Sequence, residues 1–269
     1  MILSAHLIPA LLSAAAATAE GTAITSSAPT QDAPPVEYPQ WSGALTAGAL
    51  MTDGNSENFS ANAAFNAQRR GENDRWTYDA FWNWAQQNTD SSTTPGDDRD
   101  DPDVTTLNYG GGVKYDYFQT KKLYYYGNGS GKVDPIADLD LRYILGAGLG
   151  YQVREDEKLK WGTELGLSYL DENYQGSTDD SEFVALRLAS NLAWVLSSRT
   201  TFEQVAEAYP GLETTDDFVA KLDNRLKMIL TGKWIAQIQY VLDFTNSTPP
   251  GIEEADHRVV LGIGWSFGA

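Results

Sequence analysis

Three groups of side chains in this sequence have the types that chemistry requires. The first is Asp256-His257 with Ser247 on the same stretch, an acid, a base and a nucleophile of the kind hydrolases combine. Neighbours along a strand face opposite ways, so Asp256 and His257 would diverge there, and no G-x-S-x-G turn accompanies them. The second group is the acidic run Asp97 to Asp103, "DDRDDPD", whose carboxylates would collect divalent cations weakly. It lacks the fixed glycine and final glutamate of a calcium loop. The third is a set of charges spaced by two within apolar segments, and their role depends on the elements that carry them.

Those elements read as strands. In "NFSANAAFNAQ", Asn58 to Gln68, Phe59, Ala61, Ala63, Phe65 and Ala67 alternate with polar residues, and only Ala64 is out of step. The same two-residue period recurs from Trp41 onward. Trp76, Tyr78, Trp82 and Trp84 oppose Thr77, Asp79 and Asn83; Leu139, Leu141, Tyr143, Leu145 and Leu149 oppose Asp140 and Arg142; Leu165 and Leu167 oppose Glu164 and Ser168. About twelve such segments occur. Two are weak, near 122–133 and 199–208; in the latter Phe202 and Val205 fall on opposite parities. "DFVAKLDNRLKMIL" is the best helix candidate and reads better as a strand.

The totals narrow the choice. The chain has 269 residues, mean hydropathy −0.38 and no run of about 18 apolar residues, so no helix would cross a bilayer, whereas strands of a barrel give a weaker signal. With no cysteine there is no disulfide, zinc-thiolate site or thiol nucleophile, and no cofactor is implied. A net charge of −18 argues against nucleic acid as a partner. "LIPALLSAAAATA" ending in Ala17-Thr18-Ala19 reads as a signal peptide over 1–19. The Pro-, Ser- and Thr-rich stretch 20–40 reads as a disordered linker, and 41–269 as one β domain.

Strands of this number could close a membrane barrel or stack as a soluble sandwich that binds glycans through exposed tryptophans. The loops favour the barrel. Short connections such as "RGEND", "QTKK", "REDEK", "SSRT" and "TGK" alternate with long acidic ones such as "DENYQGSTDDS" and "NSTPPGIEEAD". That is the short-turn, long-loop arrangement of membrane barrels, with aromatic residues near the strand ends. The expected fold is therefore all-β, a closed antiparallel transmembrane β-barrel of about twelve strands, with both termini on the periplasmic side and lipid as the partner of its apolar face.

On that reading the third group faces the lumen. Lys114, Asp116, Asp140, Arg142, Lys160, Glu164, Arg187, Lys221, Asp223, Arg225, Lys227, Asp243 and Arg258 are the candidate lumen-lining residues, with Asp79 among them. They would either fill the bore as a paired network or tune a narrow pore. No catalytic residue is assigned; a hydrolase built on His257 is the enzymatic alternative. The acidic insert 88–103 is the candidate for weak contact with divalent cations, including those bound to lipopolysaccharide.

The chain also resembles a known family. "WSGALTAGALMTDGNSE", "GAGLGYQV", "ELGLSYLDENY" and "DFTNSTPPGIEEADHRVVLGIGWSF" stand in the order found in the YdiY-like salt-induced outer-membrane proteins, and the resemblance covers 41–267. It implies an outer-membrane barrel inserted by the barrel-assembly machinery and no established activity, substrate or catalytic residue. Its name implies a response to salt. Such barrels end on an aromatic residue; here Gly268 and Ala269 follow Phe267.

Overall fold

Alternation of polar and apolar residues can be satisfied only if the two faces of each strand meet different surroundings. In the computed structural model, which describes residues 38–52, 56–89, 103–175, 181–214, 217–246 and 253–268, they do. Twelve strands follow one another: β1 (Gln40–Thr52), β2 (Ser56–Arg70), β3 (Asp74–Thr89), β4 (Asp103–Phe118), β5 (Leu123–Asp134), β6 (Leu139–Glu155), β7 (Leu159–Tyr174), β8 (Ser181–Ser197), β9 (Thr200–Pro210), β10 (Phe218–Thr231), β11 (Trp234–Thr245) and β12 (Ala255–Gly268). Each pairs antiparallel with its neighbours in sequence, and β1 returns to β12, so the sheet closes. These strands belong to one compact unit, Glu37–Ala269. The signal-peptide and linker expectations over 1–37, and the core of the acidic insert at 90–102, lie outside the described residues.

Burial is inverted relative to a water-soluble core. Leu145, Leu165 and Leu167 are each 54% exposed, and Val259 69%, while Asp116, Glu164 and Arg187 are almost wholly buried. A two-layer sandwich would bury the leucines and expose the charges, so the soluble alternative fails on this observation. The weak segments resolve in the same terms. In β9 Glu203 and Glu207 reach inward ion pairs, which puts Val205 inward and Phe202 outward. In β5 Tyr124 and Tyr126 turn inward, which gave that segment its blurred period. "DFVAKLDNRLKMIL" is strand from Phe218 on, in β10, which ends at Thr231.

Aromatic contacts gather at the ends of the outer face. Trp234 and Trp265 are register partners with rings 5.4 Å apart, and Trp76 stacks on Tyr78 at 6.1 Å, both near the short turns. Phe59 and Trp84 meet at 5.7 Å near the other end. On the outward face Gln204 of β9 donates to Asn224 of β10 at 2.8 Å, and Trp161 of β7 to Ser190 of β8 at 3.1 Å.

The short turns are built by their own residues. Asp156 accepts the backbone N–H groups of Lys158 and Leu159 at 2.9 and 2.8 Å, closing the β6–β7 turn. The Arg154 guanidinium beside it, and these two N–H groups, hold its carboxyl below the usual range. In the β10–β11 turn Gly232 has φ of 55°, a left-handed conformation that a side chain would strain.

Candidate functional site

Closure brings the inward faces of all twelve strands together, and their polar residues sort into three regions. One is a continuous chain of buried charge across β3, β4, β7, β8 and β9. Arg75 donates to Asp116 at 2.6 Å; Lys114 bridges Asp116 and Glu164, reaching the latter at 2.6 Å. Arg187 holds Glu164 at 2.7 Å with one nitrogen and Glu207 at 2.5 Å with the other. Tyr124 donates its hydroxyl to Glu164 at 2.7 Å, and the Arg187 guanidinium lies 4.8 Å from the Tyr126 ring. Each of the three carboxylates of this network, Asp116, Glu164 and Glu207, has a cationic partner, the condition on which buried charge is tolerated.

Glycines make this possible. Tyr124 and Gly150 are register partners, as are Tyr126 and Gly148, with Gly166 next to Gly148 on the far side. A Cβ on Gly150 would lie 2.1 Å from the Tyr124 ring, and one on Gly166 would lie 2.2 Å from the Tyr126 hydroxyl. The glycine-rich "GAGLGY" is therefore a pair of notches over which the tyrosines cross the wall. Phe118 packs against Tyr124 with the rings 5.0 Å apart and carries Arg70 at 3.8 Å over its own ring, closing the short-turn end on this side.

The second region lies toward the long-loop end. Arg142 pairs with Glu172 at 2.5 Å and donates to Thr245 at 2.8 Å. Lys132 and Arg258 share Asp243, at 3.5 and 2.5 Å. Beside them Leu170, Phe183, Ala185, Tyr209 and Val219 pack as an apolar cluster inside the barrel.

The third region is open. A cavity with about 1100 Å³ of empty space, open solvent included, lies against β2, β3 and β10–β12. It is lined by Asn62, Asn66, Asp79, Asn83, Lys132, Lys221, Asp223, Arg225, Gln239, Asp243 and Arg258, among others. Asp223 is held by Arg225 at 2.5 Å and by Gln239 at 3.0 Å. Lys221 and Asp79 have no ion-pair partner within 4 Å among the described residues, so their charges address the cavity. The bore is thus packed on one side and hollow on the other.

The candidate residues divide accordingly. Lys114, Asp116, Glu164 and Arg187 join the buried chain; Arg142, Lys221, Asp223, Arg225, Asp243 and Arg258 line the cavity. Lys227 pairs with Glu203 at 2.7 Å nearer the turns. Asp140 is a correction: a register shift between Leu139 and Leu141 skips it, leaving it exposed and turning Leu139 inward to 3% exposure. Lys160, one residue into β7, keeps inward parity but is exposed at the rim. Sequence reasoning missed Arg75, Lys132, Glu172, Glu203 and Glu207. Glu172 belonged to a stretch read as loop, and Lys132, Glu203 and Glu207 lay on or beside the two weak segments.

Asp256 and His257 diverge. His257 meets the Tyr240 hydroxyl at 2.9 Å on the exposed outer side, while Asp256 lies 4.0 Å from inward-facing Lys132. Ser247 lies outside the described residues.

A family model described as "Protein of unknown function, DUF481" matches residues 45–267. No curated protein matches the chain. Among solved structures, an outer membrane channel from Pseudomonas putida F1 is 11% identical, with TM-score 0.47, over 88% of this chain and 98% of that one. The NanC porin is 12% identical, with TM-score 0.45, over 83% and 98%. The translocator domain of autotransporter NalP from Neisseria meningitidis is 12% identical, with TM-score 0.45, over 86% and 90%.

Proposed function

We propose that this chain, which belongs to the DUF481 family of proteins of unknown function, is an outer-membrane barrel with an eccentric, water-filled pore for small solutes or ions. The observation that carries this reading is the asymmetry of the bore. A charge-paired wall fills the β3–β9 side, while Asn, Lys and Asp side chains line an open space on the other. A barrel needed only as a staple has no use for Lys221 and Asp79 facing solvent inside it. The exposed leucines, the aromatic bands and the short turns support placement in a bilayer. In this reading both termini lie in the periplasm and the acidic loops outside, beside lipopolysaccharide and its cations; the short turns on one rim and the long loops on the other support it.

Cations and carboxylates are interspersed along the cavity wall, so the pore passes both signs of ion with weak preference, in spite of the net charge of −18. Expression in response to salt rests on the family resemblance alone. The test is conductance of the purified protein in planar bilayers. Discrete steps that scale with KCl concentration are expected; a silent protein that inserts correctly contradicts the pore. A purely structural barrel is the second reading, favoured by the completeness of the Glu164 network.

A further inference from the structure

The lipid-facing surface carries a pair of side-chain amides at mid-depth. Gln204 of β9 and Asn224 of β10 are register partners on the outward face, and Gln204 donates to Asn224 at 2.8 Å. Asn224 lies six residues from Phe218, which packs on Phe244 at the long-loop end. It lies seven residues from Thr231, the register partner of Trp234 at the short-turn end. Among the described residues no other side-chain amide faces outward between those aromatic bands.

The bond between them leaves hydrogen-bonding capacity over. It uses one N–H of Gln204 and one lone pair of Asn224, so Gln204 Oε1 and the N–H groups of Asn224 Nδ2 remain. No further hydrogen bond reaches either side chain among the described residues. On β8 the register partner of Gln204 is Leu192, and the outward Ser190 beside it already accepts from Trp161. On β11 the register partner of Asn224 is Tyr240, whose hydroxyl meets His257. Acyl chains at this depth offer neither donor nor acceptor, and polar groups left unmet there are costly.

What remains is complementary to itself. A two-fold axis beside the pair brings the free oxygen of Gln204 in one copy to the free N–H groups of Asn224 in the other, and symmetry repeats the contact in reverse. The surface admits close approach. Ala206 and Ala208 on β9 and Ala220 on β10 share the outward parity of the pair, with Ala208 and Ala220 in register. Nothing on the two strands repels a second copy, since Glu203, Glu207, Lys221, Asp223, Arg225 and Lys227 all have inward parity. We propose that the β9–β10 face is the interface of a two-fold dimer in the membrane, closed by an amide cluster that Gln204 and Asn224 of both copies share. This goes beyond the pore reading and shares with it only the placement in a bilayer; each barrel keeps its own cavity.

The chain has no cysteine, so single cysteines report contacts between copies. The full chain, reconstituted in vesicles of phosphatidylethanolamine and phosphatidylglycerol and released into native mass spectrometry, is expected as a dimer. Ala206→Cys, beside the pair, is expected to cross-link on oxidation at least tenfold faster than Val113→Cys, an exposed outward site on β4 across the ring. Gln204→Leu/Asn224→Leu is expected to be monomeric, with its urea midpoint unchanged or raised because leucine suits lipid. Ala206→Trp keeps both amides and blocks approach; it is expected to be monomeric too, and it decides the matter if the double variant does not fold. A monomeric unmodified chain overturns the interface, as does a dimer that survives the loss of both amides. A trimer overturns it, since a ring of three joins two different patches. A monomer that retains a lipid molecule only while both amides are present also overturns it, because lipid then covers them. Dimers that do not conduct sink the pore alone; monomers that conduct sink the interface alone.

Discussion

Tyr124 and Gly150 face each other across the β5–β6 ladder, and the phenol of one occupies the space a side chain on the other would need. From there the hydroxyl reaches Glu164 on the next strand but one. Three strands are tied by one side chain because its neighbour has none. Gly150→Val should displace the ring and cost about 1–3 kcal/mol through overpacking. Tyr124→Phe keeps the ring and loses only the donor, costing about 1–3 kcal/mol. Urea unfolding in lipid vesicles reads both; a neutral Gly150→Val would mean the ring does not lie there.

Glu164 is the hub of the buried chain, held by Lys114, Arg187 and Tyr124. Glu164→Leu leaves two cations facing each other and should cost about 3–5 kcal/mol. Adding Lys114→Met to it should cost less than the two single changes summed, since the pair is removed together. Additive losses in the same unfolding assay would contradict a coupled network.

Adjacent residues of β2 should respond oppositely to the same substitution. Ala63, outward and opposite Trp82, meets lipid, so Ala63→Arg should cost about 2–4 kcal/mol near the midplane. Asn62 lines the cavity, so Asn62→Arg should fold with less than half that loss and change the current instead. Unfolding midpoints of the two variants decide the matter.

Selectivity should follow Lys221 and Asp79, the cavity charges without an ion pair among the described residues. Lys221→Glu is expected to move the reversal potential in a tenfold KCl gradient toward potassium, and Asp79→Asn to move it toward chloride. Unmoved reversal potentials in both variants would place the conducting path elsewhere.

Much of this architecture is legible in the sequence, because an alternating strand states its two faces directly. Asn58–Gln68 and Leu165–Leu167 are unambiguous, and loop lengths distinguish the two rims. The losses have physical causes. A bulge advances parity by one residue, and nothing in "DLDLRY" announces that Asp140 is skipped. Tyr124 and Tyr126 look like membrane-facing aromatics, and only the glycines opposite them on β6 reveal that they turn inward. Which charges pair across the bore depends on strands far apart in sequence, such as Lys132 with Asp243. The β1–β12 closure is a property of the ring and leaves no local pattern.

The central claim is that the greasy faces meet lipid while a water-filled space persists inside. Spin labels placed singly at Leu165 and at Asp79, in the protein reconstituted in vesicles, test it by power saturation. The account predicts that a label at 165 is relaxed by oxygen, and one at 79 by a water-soluble nickel complex. A label at 165 that meets nickel, or one at 79 that meets neither reagent, would contradict it.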